Sequence, residues 1–203
     1  MVRSLKDRLR AHFNVSVAEM DANGLWQRAT IGVVSISDSR DYLTGLMNNV
    51  ERQAMRIANN AGADLVLSLH TDADRSMYAQ GLATFHFGNG SGSTSTVGEA
   101  LAGLIQRELL TRTAMHDCRT QGRTWELLRL TRMPAVRVEV GYLSNMGDMR
   151  RLMDLAFRDV VAEGILVAVK RLYLLGQDDQ PTGTFTFGDV LARELERDQA
   201  KAI

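Results

Sequence analysis

The sequence is poor in residues that cross-link or interrupt a chain. It has one cysteine, Cys118, and two prolines among 203 residues. No disulfide can form within the chain, so its fold does not depend on an oxidising compartment. Few positions force a strand or a helix to end. Cys118 lies in a polar stretch next to His116, and this neighbour alone is weak support for a cysteine nucleophile.

The sequence also lacks net charge and long apolar runs. Lys plus Arg and Asp plus Glu each number 24, so composition gives no electrostatic basis for binding nucleic acid or an anionic membrane. The first residues, MVRSLKDRLRAHF, have charges where a signal peptide has an apolar core, and no segment has the length of a membrane span. As written, the chain is expected in the cytoplasm. A cell-wall or extracellular location is expected if the true N-terminus lies upstream.

Strand-like and helix-like segments alternate along the chain. Apolar, β-branched runs predict strands at residues 31–36, 64–69, 82–87 and 135–140, the first two of them buried. Apolar residues at helical spacing predict helices at residues 5–13, 44–60, 97–110, 147–157, 159–175 and 187–199. Gly62 is a predicted helix stop, Ser95 or Thr96 a predicted helix cap, and residues 115–125 a predicted loop.

This alternation predicts an α/β fold, a three-layer domain with a mostly parallel central sheet flanked by helices. Residues 1–176 are predicted to form the domain. Residues 177–203 are predicted to form a linker, QDDQPTGT, and a charged, exposed helix.

Two polar residues interrupt the apolar strands. His70 directly follows ADLVLSL, where a metal ligand at the exit of a strand fits such a sheet. A histidine that caps the strand with a hydrogen bond is the alternative, and it is the commoner outcome for a single residue. Glu139 lies inside AVRVEV, where a carboxylate needs a partner or a shifted pKa. Pairing with Arg137 is disfavoured, because residues two apart on a strand rarely pair well. A functional carboxylate is favoured over a structural one, and neutralisation by Arg129 or Arg132 is the alternative.

These segments resemble a known family. ADLVLSLH, the AN and AD pairs before it (58–59 and 63–64), the LLR at 127–129 and MPAVRVEVGYLSN at 133–145 are similar to zinc-dependent N-acetylmuramoyl-L-alanine amidases of the Amidase_3 type. The resemblance covers residues 50–173. GRTWELLRLTRMP and the tail RLYLLGQDDQPTGTFTF further resemble the actinobacterial CwlM-like branch of that family.

The resemblance implies a peptidoglycan amidase that hydrolyses the amide between N-acetylmuramic acid and L-alanine. It implies Zn²⁺ held by two histidines and a glutamate, with a second glutamate that takes a proton from the metal-bound water. Carried over by position, His70 is a zinc ligand and Glu139 is the catalytic glutamate. Arg129 and Arg132 are candidates to bind carboxylates of the stem peptide, the alternative for each being a solvated surface charge.

The chain departs from the family at its N-terminus. The family's first strand, with a histidine ligand on a glycine-rich turn, and the glutamate ligand that follows are not found here. His12 and Glu19 are weak substitutes, while His86 is expected to be a packed strand residue and His116 a loop residue. Because zinc sites need three or four protein ligands, we expect the chain alone to bind zinc poorly and to hydrolyse peptidoglycan slowly or not at all.

Two other functions remain open at this level. One is a non-catalytic, amidase-like regulator of peptidoglycan synthesis with a protein partner, against which His70 and Glu139 count. The other is a module that binds peptidoglycan without turnover. In each case the expected partner is peptidoglycan or its precursors, with no nucleic acid and no membrane span.

Overall fold

The computed structural model describes residues 2–19, 31–175 and 187–201. It has two compact units: residues 1–64 with 130–133, and residues 65–129 with 134–203. The predicted linker at residues 177–184 lies outside the described residues, and the predicted boundary at residue 176 stays a prediction. None of the helices in the described part of the chain is long and apolar enough to cross a membrane.

The smaller unit contains two helices and a pair of strands. Its elements are α1 (Val2–His12), β1 (Ser16–Glu19), β2 (Ile31–Val34) and α2 (Arg40–Ala61). Ser39 caps the N-terminus of helix α2, and its side chain accepts a hydrogen bond from the Tyr42 N–H at 3.2 Å. It ends at Gly62, which has a left-handed conformation with φ of 63°. The predicted stop at Gly62 is confirmed, because this conformation is one that glycine adopts without strain.

Strand β2 is not the buried strand that its apolar sequence predicts. It pairs antiparallel with β1 in a separate two-stranded sheet, and the Val34 side chain is 67% exposed. A two-stranded sheet has too few neighbours to cover both of its faces, so an apolar run here does not imply burial.

The larger unit is built around a four-stranded sheet. The elements after α2 are β3 (Val66–Asp72), β4 (Leu82–Phe87), α3 (Thr96–Thr113), β5 (Asp117–Arg123), α4 (Glu126–Leu130), β6 (Ala135–Tyr142), α5 (Met146–Met153), α6 (Leu155–Lys170), a π-helical turn (Arg171–Leu175) and α7 (Phe187–Lys201). The strand order is β3-β6-β4-β5. The pairs β3–β6 and β4–β5 are parallel, and β4–β6 is antiparallel. The predicted α/β fold with a mostly parallel central sheet and flanking helices is confirmed.

The two outer strands of this sheet differ from the prediction. Residues 115–125 were expected to be a loop, but β5 pairs there with β4. Its sequence, DCRTQGR, is polar because an edge strand has exposed positions, and so it lacks the apolar run that marks a buried strand. At the other edge, β3 continues to Asp72 and Leu69 is 60% exposed, so the prediction of a buried strand ending at Leu69 was wrong.

The two faces of the sheet pack against different partners. Val136 and Val138 of β6 lie in one core with Leu101 and Ile105 of α3 and Ile165 of α6. Because side chains alternate along a strand, Arg137 and Glu139 point to the opposite face. That second face has a smaller apolar cluster formed by Ala83, Phe85, Leu128 and Ala135. The sheet therefore presents its polar residues on the face away from α3 and α6.

A buried ion cluster joins α3 to the π-helical turn that follows α6. Glu108 is fully buried, and its two carboxylate oxygens accept hydrogen bonds from Arg171 and from Arg112, the latter at 3.2 Å. Arg171 is also buried, with 7% of its surface exposed. Removing one member of such a cluster leaves a buried charge without its partner.

We expect Glu108→Ala to lower the free energy of unfolding by about 3–5 kcal/mol, because Arg171 then stays buried without this carboxylate. Urea unfolding followed by circular dichroism measures the loss. Arg107→Ala, an exposed position on the same helix, is the matched control and is expected to change stability by less than about 0.5 kcal/mol. A loss for Glu108→Ala no larger than that of the control would show that the ion cluster does not stabilise the fold.

Candidate active site

The pairing of β3 with β6 brings the two main candidate residues together. His70 and Glu139 are direct partners in the parallel register of these strands, and Ala83 of β4 lies opposite Glu139 on its other side. Neighbouring strands are about 4.8 Å apart, and paired residues point to the same face. The two residues, 69 positions apart in sequence, therefore lie side by side. His70 is inside β3, two residues before its end, and not at its exit as predicted.

Glu139 is paired with Arg137, contrary to the expectation from sequence. The Arg137 Nη2 and Nε atoms lie 2.7 and 2.9 Å from Glu139 Oε1. Residues two apart on a strand share a face about 7 Å apart along the chain, and the long arginine side chain spans that distance. Since Glu139 is 9% exposed, its carboxylate needs such a partner to remain charged in the sheet.

Aromatic rings lie against the guanidinium of Arg137. Its guanidinium carbon lies 4.9 Å from the centre of the Trp125 ring, and the Trp125 and Phe85 ring centres are 4.7 Å apart at an angle of 48°. The guanidinium of Arg123 lies over both rings, 5.9 Å from Trp125 and 5.6 Å from Phe85. Sequence reasoning missed Trp125 as a site residue, because a predicted loop gives no sign of which strand it lies against.

The environment of His70 keeps its imidazole neutral at neutral pH. Burial, and then the positive charge of Arg137, lower the pKa of His70 below its usual value. His70 Nε2 lies 2.5 Å from the Ser68 hydroxyl oxygen, which is a hydrogen-bonded arrangement of the kind expected in the alternative to a metal ligand. A neutral imidazole is also the form that binds a metal. His70 as a metal ligand therefore stays a prediction.

The two arginines predicted to bind substrate are exposed. Arg129 lies in α4, and the backbone N–H of Arg132 donates to the Asn59 Oδ1 atom at 2.8 Å. Within the described part of the chain, the carboxylate of Glu139 contacts Arg137 and neither of these guanidiniums. Their predicted contact with stem-peptide carboxylates is independent of that pairing and stays a prediction.

The described residues do not form the ligand set that zinc needs. Among residues 2–19, 31–175 and 187–201, no group of three or more His, Cys, Asp and Glu side chains is arranged to hold one metal ion. His86 is buried in β4, with Nδ1 3.0 Å from the Phe87 carbonyl oxygen, and His116 is exposed, as expected for a packed residue and a loop residue. His70 alone does not hold Zn²⁺ with useful affinity.

An apolar groove lies along β3 but does not include the polar pair Arg137 and Glu139. Its volume is about 390 Å³, and it is lined by the apolar residues Leu69, Val140, Leu152, Phe157, Val161 and Ile165, with His70, Thr71, Arg158 and Ala162. Val140, Val161 and Ile165 belong to the core around α6, and Leu152 and Phe157 pack against that core. The candidate active site is therefore the opposite, polar face, where His70, Arg137 and Glu139 meet.

Comparison with known proteins decides the family. The model of a family described as N-acetylmuramoyl-L-alanine amidase matches residues 9–171. The chain belongs to this amidase family. Both segments that contain His70 and Glu139 fall within the match, so the resemblance inferred from their sequences is confirmed.

A curated relative from the CwlM-like branch supports the same assignment. The chain is 55% identical over 184 residues to the N-acetylmuramoyl-L-alanine amidase CwlM of Mycobacterium tuberculosis, which covers 89% of this chain and 45% of that protein. The chain therefore spans less than half the length of this amidase relative. The predicted likeness to the CwlM-like branch is confirmed.

Solved amidase structures share the fold. The catalytic domain of CwlV from Bacillus (Paenibacillus) polymyxa var. colistinus is 27% identical, with a TM-score of 0.54 over 60% of this chain and 64% of that one. An N-acetylmuramoyl-L-alanine amidase from Clostridium difficile 630 is 26% identical, with a TM-score of 0.55 over 64% of this chain and 67% of that one. The central sheet and its helices are thus those of amidase catalytic domains.

We expect Arg137→Gln to raise the pKa of His70, because the guanidinium charge disfavours the imidazolium and its loss leaves Glu139 to favour it. Burial is the larger cause of the shift and remains, so the pKa stays below its usual value. The His70 ring proton, followed by NMR from acid to neutral pH, measures the change. Arg107→Gln is the control, and an unchanged or lower pKa in Arg137→Gln would contradict the expected coupling.

Proposed function

We propose that this chain forms part of the active site of a peptidoglycan amidase. The reaction is hydrolysis of the amide between the lactyl group of N-acetylmuramic acid and the L-alanine of the stem peptide. The observation that supports this most is the pairing of His70 with Glu139 on adjacent parallel strands, in a chain that matches the amidase family over residues 9–171. The amidase names of the relatives favour an enzyme over the non-catalytic regulator.

Glu139 is the proposed general base. Its carboxylate takes a proton from the water whose oxygen attacks the amide carbonyl carbon, and it returns that proton to the nitrogen as the C–N bond breaks. The products are a free carboxylate on the lactyl group and a free amino group on L-alanine. Arg137, which contacts Glu139 at 2.7 Å, orients the carboxylate.

The described residues offer only part of the ligand set that a catalytic zinc ion needs. The family is expected to use Zn²⁺, and we propose His70 as one ligand because its lowered pKa leaves the imidazole neutral. The described residues do not complete the set, so further ligands have to come from outside them. No step of the reaction is assigned to a metal held by these residues alone. Arg129 and Arg132 are proposed to bind carboxylates of the substrate.

We expect the purified chain to contain little zinc and to bind added Zn²⁺ weakly, because the described residues offer fewer than the three protein ligands of a catalytic site. Metal analysis and titration calorimetry measure both quantities. His70→Ala is expected to change them little. Tight, stoichiometric zinc in the wild type that is lost in His70→Ala would contradict this and would show that a complete site exists.

We expect slow release of peptides with a free N-terminal L-alanine from muropeptides, detected by mass spectrometry after long incubation. In Glu139→Gln this rate is expected to fall by about 10²–10⁴-fold, since the amide side chain cannot take the proton. Asp159→Asn, an exposed position on α6, is the control and is expected to act like the wild type. Equal product from the wild type and Glu139→Gln would count against Glu139 as the base, and no product from either would count against turnover by this chain alone.

A further inference from the structure

Two arginines and two aromatic rings form a cluster beside Glu139 that the proposed reaction does not use fully. The arginine–tryptophan cluster is defined as Phe85, Arg123, Trp125 and Arg137. Both guanidinium carbons lie within 5.9 Å of the Trp125 ring centre, and Trp125 is 38% exposed. The cluster therefore reaches the surface on the same face of the sheet as Glu139.

The two arginines of the cluster differ in their charge balance. Arg137 is neutralised by Glu139. Arg123 contacts neutral groups, namely the Gly122 carbonyl oxygen at 3.1 Å, the Gln121 side-chain oxygen and the two aromatic rings. Among the residues that the structure describes, no acidic side chain pairs with Arg123. Its positive charge is exposed next to the candidate active site, and none of the described carboxylates balances it.

The contacts of Arg123 also fix its position. Two cation–π contacts and two hydrogen bonds to neutral oxygens hold a side chain that would otherwise sample many rotamers. A planar guanidinium held in this way loses less conformational entropy when it binds a ligand. The group that it fits best is a carboxylate, which accepts two parallel hydrogen bonds from a guanidinium.

The surroundings of Trp125 favour an anionic ligand over a stacked sugar. The guanidiniums of Arg123 and Arg137 already lie over this ring, and Phe85 packs against it, so a stacked sugar would have to compete with them. The Trp125 ring instead supports the arginines. The ligand chemistry that matches the cluster is therefore a free carboxylate on a flexible chain.

We propose that Arg123, held by Phe85 and Trp125, binds a free carboxylate of the stem peptide while Glu139 acts on the amide bond. This inference rests on the proposed amidase function. Since Arg123 and Arg137 contact the same ring, the carboxylate lies within about three peptide residues of the reacting bond, at ~3.3–3.6 Å per residue. Arg123 then selects stem peptides with an uncapped acidic residue near the bond that is cut.

Titration calorimetry with two matched muramyl tripeptides tests the proposal. One peptide has free side-chain and terminal carboxylates, and the other has the same groups amidated. Wild-type protein is expected to bind the free acid about tenfold more tightly, the effect of one charge-assisted hydrogen-bonded pair. Arg123→Gln is expected to lower this preference by about that factor, and any preference that remains is due to carboxylates bound at Arg129 or Arg132. Arg107→Gln removes an equal charge from an exposed position on α3, on the other face of the sheet. This control is expected to keep the preference for the free acid.

Three other outcomes are possible, and each contradicts a different part of the proposal. If Arg123→Gln keeps the preference, the carboxylate is bound elsewhere and the proposal for Arg123 fails. If the wild type binds both peptides equally, the proposal fails while the amidase function stands. If the wild type binds neither peptide, both the role of Arg123 and the amidase function of this chain fail. Circular dichroism of both variants checks that each is folded.

Discussion

The alternation of side chains along β6 is the constraint on which the candidate site depends. Val136 and Val138 fill the core against α3 and α6, and this fixes Arg137 and Glu139 on the other face. A slip of one residue in the pairing with β3 would turn both charged side chains into an apolar core. The hydrophobic packing of α3 and α6 therefore sets the register that places Glu139 beside His70. Stability and the geometry of the site have the same origin.

Two buried carboxylates in the larger unit are both paired with arginine, but they have different roles. Glu108 pairs with Arg171 and Arg112 within the helical layer, where the charges connect α3 to the turn after α6. Glu139 pairs with Arg137 on the opposite face of the sheet, beside His70. In both cases the arginine reduces the free energy needed to keep a carboxylate ionised away from water. The neighbouring His70, and not the ion pair, is what separates the candidate base from the structural carboxylate.

The sequence predicts the elements whose signals are local. The caps at Ser95 and Gly62 and the bounds of β4 are as predicted, because each depends on a few adjacent residues. His70 and Glu139 stand out because a polar residue within an apolar strand is unusual. β5 and the exposure of β3 were not predicted, since a strand at a sheet edge need not be apolar. Trp125 was missed because its contacts with Phe85 and Arg137 arise only when distant segments meet.

The pairing of β3 with β6 also has a consequence for how the protein folds. Val66 pairs with Ala135, and β4, α3, β5 and α4 all lie between them in the sequence. Bringing these strands together closes a long loop, and contacts of this kind form slowly because the loss of chain entropy precedes the gain from packing. The helices and the β4–β5 pair join segments that are nearer in sequence, so they close shorter loops and are expected to form earlier. We therefore expect His70 and Glu139 to become neighbours late in folding, after the helices have formed.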